Sequence, residues 1–359
     1  DPMGNYGSDG VYFGPGQDYD YFTLGGNDLY ATMTLAKWVG VTNELPNMAY
    51  PSNYNIYPSA DYASEYAFSY DSMHLENELW VDIGDKEAVQ SNLINYGAAT
   101  VSIYYDNAYL NTDSGKKGAY YYNGTSYGNN HAVSIVGWDD NYSKTNFLTQ
   151  PPGNGAWLIK NSYGTSHGDN GYLWVSYYDR GITGSNSTPI ANTLVFTDYG
   201  TYNNYDNNYQ YDGGVSLHCY SYPNGTASMA NVFTADGFEK LEAISFYTYR
   251  TNVNYTVKIY KLDNNDIAPI GGTLVASESG NEIYAGYHTI ELGNIVDLAP
   301  GDKFSVVIDM TSASGYAYIM VDASGSLFGT TYPYSFASCN AGESYMSGDG
   351  SNWSGMSYN

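Results

Sequence analysis

Cysteine is scarce in these 359 residues, with only Cys219 and Cys339, both in the C-terminal half. Either one disulfide or two thiols is compatible with that count. Basic residues are scarce too. Twelve Lys and Arg stand against 37 Asp and Glu, for a formal charge of −25. This balance argues against nucleic acid as a partner, because phosphate binding needs a basic footprint. It argues against an anionic membrane surface on the same ground. No run of about 18 apolar residues occurs, so no membrane-spanning helix is expected. The chain opens on Asp1-Pro2 rather than Met and has no basic-then-apolar leader. The expectation is that it carries no signal peptide and that an upstream piece was removed or left out.

What is abundant is tyrosine and glycine, at 43 and 40 residues, while charged residues make up only 14%. The polar surface must therefore be built mostly from Tyr, Asn, Ser, Thr and Gly. Such a surface suits a secreted or cell-surface protein that meets peptides or sugars. The hydrophobic fraction of 43% supports globular folding over disorder. The length allows two domains of ordinary size.

The first half mixes helices and strands. Leu29, Met33 and Ala36 share a helical face between Asn27 and Gly40. A second helix is expected after Asp85, with Val89, Leu93 and Tyr96 on one face and Gly97 ending it. Ala99, Val101, Ile103 and Tyr105 then alternate as in a strand. Strand-like runs follow at 131–138, 156–161 and 172–178, and Pro151-Pro152-Gly153 breaks the loop before the second of these. From about Gly184 only short alternating runs recur: 243–249, 255–262, 289–292 and 304–308. That spacing predicts an antiparallel sandwich. The expected domains are 1–183 and 184–359.

Two segments carry chemistry. Asn130-His131-Ala132-Val133 opens one strand, and Lys160-Asn161-Ser162-Tyr163-Gly164 closes the next but for its loop. A general base needs one ring nitrogen near its nucleophile and the other held by a partner. An Asn oxygen can accept from that second nitrogen without adding charge. A neighbouring aromatic such as Tyr163 can shield the bond from water.

These segments closely resemble the His and Asn motifs of the papain family of cysteine peptidases. There a His-Ala-Val strand ends in Gly-aromatic, as Gly137-Trp138 does here, and an Asn-Ser-Trp-Gly turn follows a Trp-containing strand. Tyr163 stands where that Trp is usual. Gly171-Tyr172-Leu173-Trp174 resembles the strand after the turn. Upstream, Gly25-Gly26, Tyr50-Pro51 and the strand start at Gly97 fall in the family's order. The resemblance implies His131 as base, Asn161 as its orienting partner and Tyr163 as support. It also implies that the backbones of Gly25, Gly26 and Asn130 align an extended peptide or protein substrate. Cys–His–Asn chemistry follows: a thiolate attacks the peptide carbonyl, His131 protonates the leaving amine, and water releases the acyl-enzyme. No cofactor is implied, and no Cys/His spacing fits a zinc site.

One departure is large. No Cys precedes His131, whereas the family nucleophile stands on a helix far upstream of the His. The expectation is a nucleophile on a missing upstream segment or light chain, which leaves this chain alone inactive. The second half resembles the lectin-like β-sandwich that follows some papain-type domains, carried by Pro300-Gly301-Asp302-Lys303-Phe304 and Gly342-Glu343-Ser344-Tyr345. That makes a glycan a candidate partner. The expected fold is an α+β papain-like domain, incomplete at its N-terminus, plus an all-β antiparallel sandwich. The competing reading is a non-catalytic adhesin or carbohydrate-binding protein with a degenerate peptidase domain. Of the other histidines, His74 reads as a surface or packing residue and His167 as a solvated loop residue.

Overall fold

The computed structural model describes residues 28–39, 73–125, 129–182, 193–201, 204–213, 217–263, 268–326, 333–335 and 337–358. They form two compact units, one of residues 78–197 and one of residues 1–77 with 198–359. The described helices are α1 (Asp28–Ala36) and α2 (Lys86–Tyr96). The first strands are β1 (Met73–Val81), β2 (Ala99–Ile103), β3 (Ala119–Tyr120), β4 (His131–Asp139), β5 (Ala156–Lys160), β6 (Tyr172–Ser176) and β7 (Thr193–Thr201).

Within the unit 78–197 the strand order is β1-β7-β2-β4-β5-β6-β3. The pairs β2–β4, β4–β5 and β5–β6 are antiparallel, and β3–β6 is parallel. The expected alternation holds in β2, where Ala99, Val101 and Ile103 are buried and the residues between them are half-buried. Ile135, Trp157, Ile159, Leu173 and Val175 extend this core at 2% exposure or less. Removing such apolar surface from water is the main stabilising term. Helix α2 starts where Asp85 accepts from the Ala88 N–H at 3.0 Å and stops at Gly97, whose φ is +89°. Each device meets an orphan backbone group at a helix end.

A buried carboxylate ties the end of this unit together. Asp179 Oδ2 accepts from the Tyr122 N–H at 2.6 Å, and Oδ1 accepts from the Gly181 and Ile182 N–H groups at 2.9 and 3.0 Å. Burial nevertheless pushes its carboxyl up to about 7, against the pull of those three donors.

In the other unit the remaining strands are β8 (Leu217–Tyr222), β9 (Thr226–Thr234), β10 (Glu239–Thr248), β11 (Val253–Leu262), β12 (Thr273–Glu282), β13 (Ala285–Leu298), β14 (Lys303–Ser312), β15 (Ala317–Asp322), β16 (Gly325–Ser326), β17 (Pro333–Ser335), β18 (Cys339–Ser347) and β19 (Ser354–Tyr358). Among the described residues, six of them form an antiparallel sheet in the order β12-β11-β14-β9-β18-β19. The pairs β10–β13 and β8–β15 are antiparallel as well. One apolar cluster joins these layers, with Val257, Ile259, Phe304 and Ile308 of the large sheet against Ile244, Phe246, Leu292 and Ile319. This is the antiparallel sandwich that the alternating runs predict. His74 is a packing residue, 6% exposed, with Trp38 stacked on it at 4.0 Å. Cys219 and Cys339 are both free thiols. The segment 204–213 has neither helix nor strand.

Candidate active site

The β4–β5 pairing sets Ser134 opposite Lys160. Continued by one step, that register sets Asn161 opposite Val133, whose side chain shares a face with His131. The two side chains meet diagonally: His131 Nε2 lies 2.8 Å from Asn161 Oδ1. An Asn oxygen only accepts, so Nε2 carries the proton. In the neutral ring the lone pair then sits on Nδ1, which has no protein partner among the described residues. The loop that carries Asn161 is closed on itself, since the Asn161 N–H donates to Gly171 O at 3.0 Å and the Gly171 N–H to His167 O at 2.8 Å. Asn161 Oδ1 also accepts from the Ser162 N–H at 2.8 Å. The Asn161 residue is 9% exposed, and its buried Nδ2 meets no acceptor among the described residues.

Tyr163 lies on the face of His131, with ring centres 4.7 Å apart and planes 25° from parallel. Asn130 faces the other way. Its N–H donates to Ile103 O, while its side chain accepts from the Tyr105 N–H at 2.7 Å and donates to Tyr105 O at 3.0 Å. The Tyr105 phenol reaches His167 Nε2 at 2.5 Å. Burial pushes the Tyr105 phenol up to about 12, helped by Tyr163 and Asp106. Burial also lowers His167, and the charges of His131 and Lys117 lower it further.

Residues 24–196 match the family model described as papain family cysteine protease, and residues 208–359 match that of the lectin like domain. The chain carries a papain-family domain followed by a lectin-like domain. Two solved structures resemble the chain over most of its length. The clostridial cysteine protease Cwp84 after propeptide cleavage is 24% identical, with a TM-score of 0.66, over 90% of this chain and 76% of that one. The cysteine protease and lectin-like domains of Cwp84, a surface layer associated protein of Clostridium difficile, are 23% identical, with a TM-score of 0.67, over 92% of this chain and 69% of that one. At such identities the likeness is one of fold: an α+β papain-like domain plus an all-β antiparallel sandwich. No curated protein matches the chain.

The papain-family domain thus brings together His131, Asn161, Tyr163 and Asn130. Gly25 and Gly26 lie outside the described residues. Both cysteines stand on strands of the lectin-like domain, β8 and β18. Among the described residues no cluster of three His, Cys, Asp or Glu side chains could hold a metal ion. Sequence reasoning read Tyr105 only as a strand residue, and weighed contact with the cleft for His167 as the alternative to a solvated loop residue. His167 is half-buried rather than solvated, and its ring meets Tyr105 and Tyr163 edge-on. The one available signal was its place in the same Gly-bounded loop as Asn161.

Proposed function

We propose that the chain is the His–Asn portion of a papain-like cysteine endopeptidase that works outside the cell. The observation that carries this reading is the His131–Asn161 bond, with Tyr163 over it and Nδ1 without a partner among the described residues. A thiol placed at Nδ1 would give up its proton to the imidazole and attack a peptide carbonyl. His131 would then protonate the leaving amine, and Asn161 would hold the ring plane through the transfer. Asn130, its N–H already used by Ile103, would offer its carbonyl to a substrate N–H.

The nucleophile belongs on an upstream segment or a light chain, since no Cys precedes His131. Substrates are peptides or proteins, and a glycan is the candidate ligand of the lectin-like domain. The low basic content and the Tyr- and Gly-rich composition support a secreted or surface protein, as does the fold shared with a surface layer associated protein. No helix among the described residues is long and apolar enough to cross a membrane.

The test is expression of the whole gene product and treatment with an epoxide inhibitor of thiol proteases. Covalent labelling of a piece that carries a cysteine and co-purifies with this chain is the expected result. Processed material that takes no label, or a Ser, Gly or Ala in place of the nucleophile, would favour the non-catalytic binding protein instead.

A further inference from the structure

We propose that Tyr105 and His167 act as a positioning pair that holds Tyr163 flat on the His131 ring. The proposal rests on the reading of His131 as the base, but its readout is independent of peptide hydrolysis. Tyr163 needs such support. It is 49% exposed and sits on a loop, where a lone aromatic would lose rotamer freedom on docking. Two rings meet it edge-on. Tyr105 stands 5.7 Å away at 77°, and His167 stands 5.1 Å away at 79°. Both are the T-shaped arrangement that aromatic quadrupoles favour.

The two supports are themselves joined. The Tyr105 phenol has one proton, and Asn107 Oδ1, which only accepts, takes it at 3.0 Å. Tyr105 Oη must therefore accept from His167 Nε2–H at 2.5 Å. Tyr105 is anchored in turn, being 9% exposed and gripped on both backbone groups by the Asn130 side chain. The contacts close into a ring. They run from Asn130 to Tyr105, to His167, to Tyr163, to His131, and back along the chain to Asn130. A ring of this kind fixes the plane of the imidazole without touching either of its nitrogens. It keeps Nε2–H aimed at Asn161.

The test uses the full 359-residue chain labelled uniformly with 15N. The signal is the His131 Nε2–H proton and its rate of exchange with water. His167→Ala and Tyr105→Phe should each speed that exchange about tenfold, the scale of losing one aromatic contact or hydrogen bond. His167→Gln, which keeps an N–H for Tyr105 Oη, should restore most of the protection. The amides of Gly181 and Ile182, bound to Asp179, report whether the domain is folded. Should His167→Ala fail to fold, Tyr105→Phe decides, since it removes a single oxygen. Unchanged exchange in a folded variant would overturn the proposal. That failure is distinct from a failure of the peptidase reading, which would show as an absence of inhibitor labelling with His131 still protected.

Discussion

His131 and Asn161 are joined through Nε2 and Oδ1 at 2.8 Å, and this bond decides which ring nitrogen is free for chemistry. Proton transfer through a positioned imidazole contributes about 100- to 10,000-fold to a rate. His131→Ala in the complete protein should therefore lower kcat by that range. Folding should survive, because the ring is only half-buried. Turnover of a peptide substrate beside a thermal melt checks both halves. Turnover near that of the unaltered protein would show that His131 is not the base.

The stack of Tyr163 on His131 leads to a second expectation. An aromatic pair of this geometry contributes about 0.5–1.5 kcal/mol beyond area burial. Tyr163→Ala should cost about 3- to 10-fold in kcat/KM. Tyr163→Trp should keep the activity, since a larger ring can cover the same face. Equal losses in both variants would mean that the phenol oxygen, and not the ring, is what matters.

Much of this site was legible before the structure because its parts are local. Asp85 and Gly97 mark the ends of α2, and the alternation in β2 is regular since one face of it is buried. His131 and Asn161 stand at the open and close of two adjacent strands, so the hairpin itself brings them together. Strand β1 was not legible. In it His74 and Leu75 are buried side by side, as are Trp80 and Val81, so no period of two survives. Glu78 sits fully buried in the same strand, with its carboxylate bonded to the Trp80 indole N–H, which reads as a polar interruption. The polar strand β12 was hidden for the opposite reason, because most of its residues face solvent. Tyr105 and His167 lie far apart in the chain and meet only through tertiary packing, which no local pattern records.

Asp179 offers a test of what holds the papain-family domain together. Its two oxygens accept from three backbone N–H groups, of Tyr122, Gly181 and Ile182. Asp179→Ala would leave those donors without that acceptor in the interior, at about 1–3 kcal/mol apiece. A loss of about 3 kcal/mol or more in urea denaturation is expected. Asp179→Asn keeps one accepting oxygen and should cost less. A loss under about 1 kcal/mol for the Ala variant would show that the local backbone rearranges or that water takes the place of the carboxylate.

His288 in the lectin-like domain provides the pH dependence. It is 2% exposed and lies between Thr248 Oγ1 at 2.9 Å and Glu282 Oε2 at 3.3 Å. Burial lowers it from 6.5 to about 4, so Glu282 does not hold it as a cation near neutral pH. The contacts then read as a neutral ring held between the Glu282 carboxylate and the Thr248 hydroxyl, which also reaches Tyr284 O at 3.4 Å. Because the folded value lies below the unfolded one, the unfolded chain binds the extra proton between these two pH values. Stability from this group is therefore complete above pH 6.5 and is lost as pH falls toward 4. The size is about 3 kcal/mol. Urea unfolding of the lectin-like domain followed from pH 7 downward should show that decline, and His288→Gln should flatten it. An imidazole that titrates near its ordinary value in the folded protein would overturn the assignment of a neutral, buried ring.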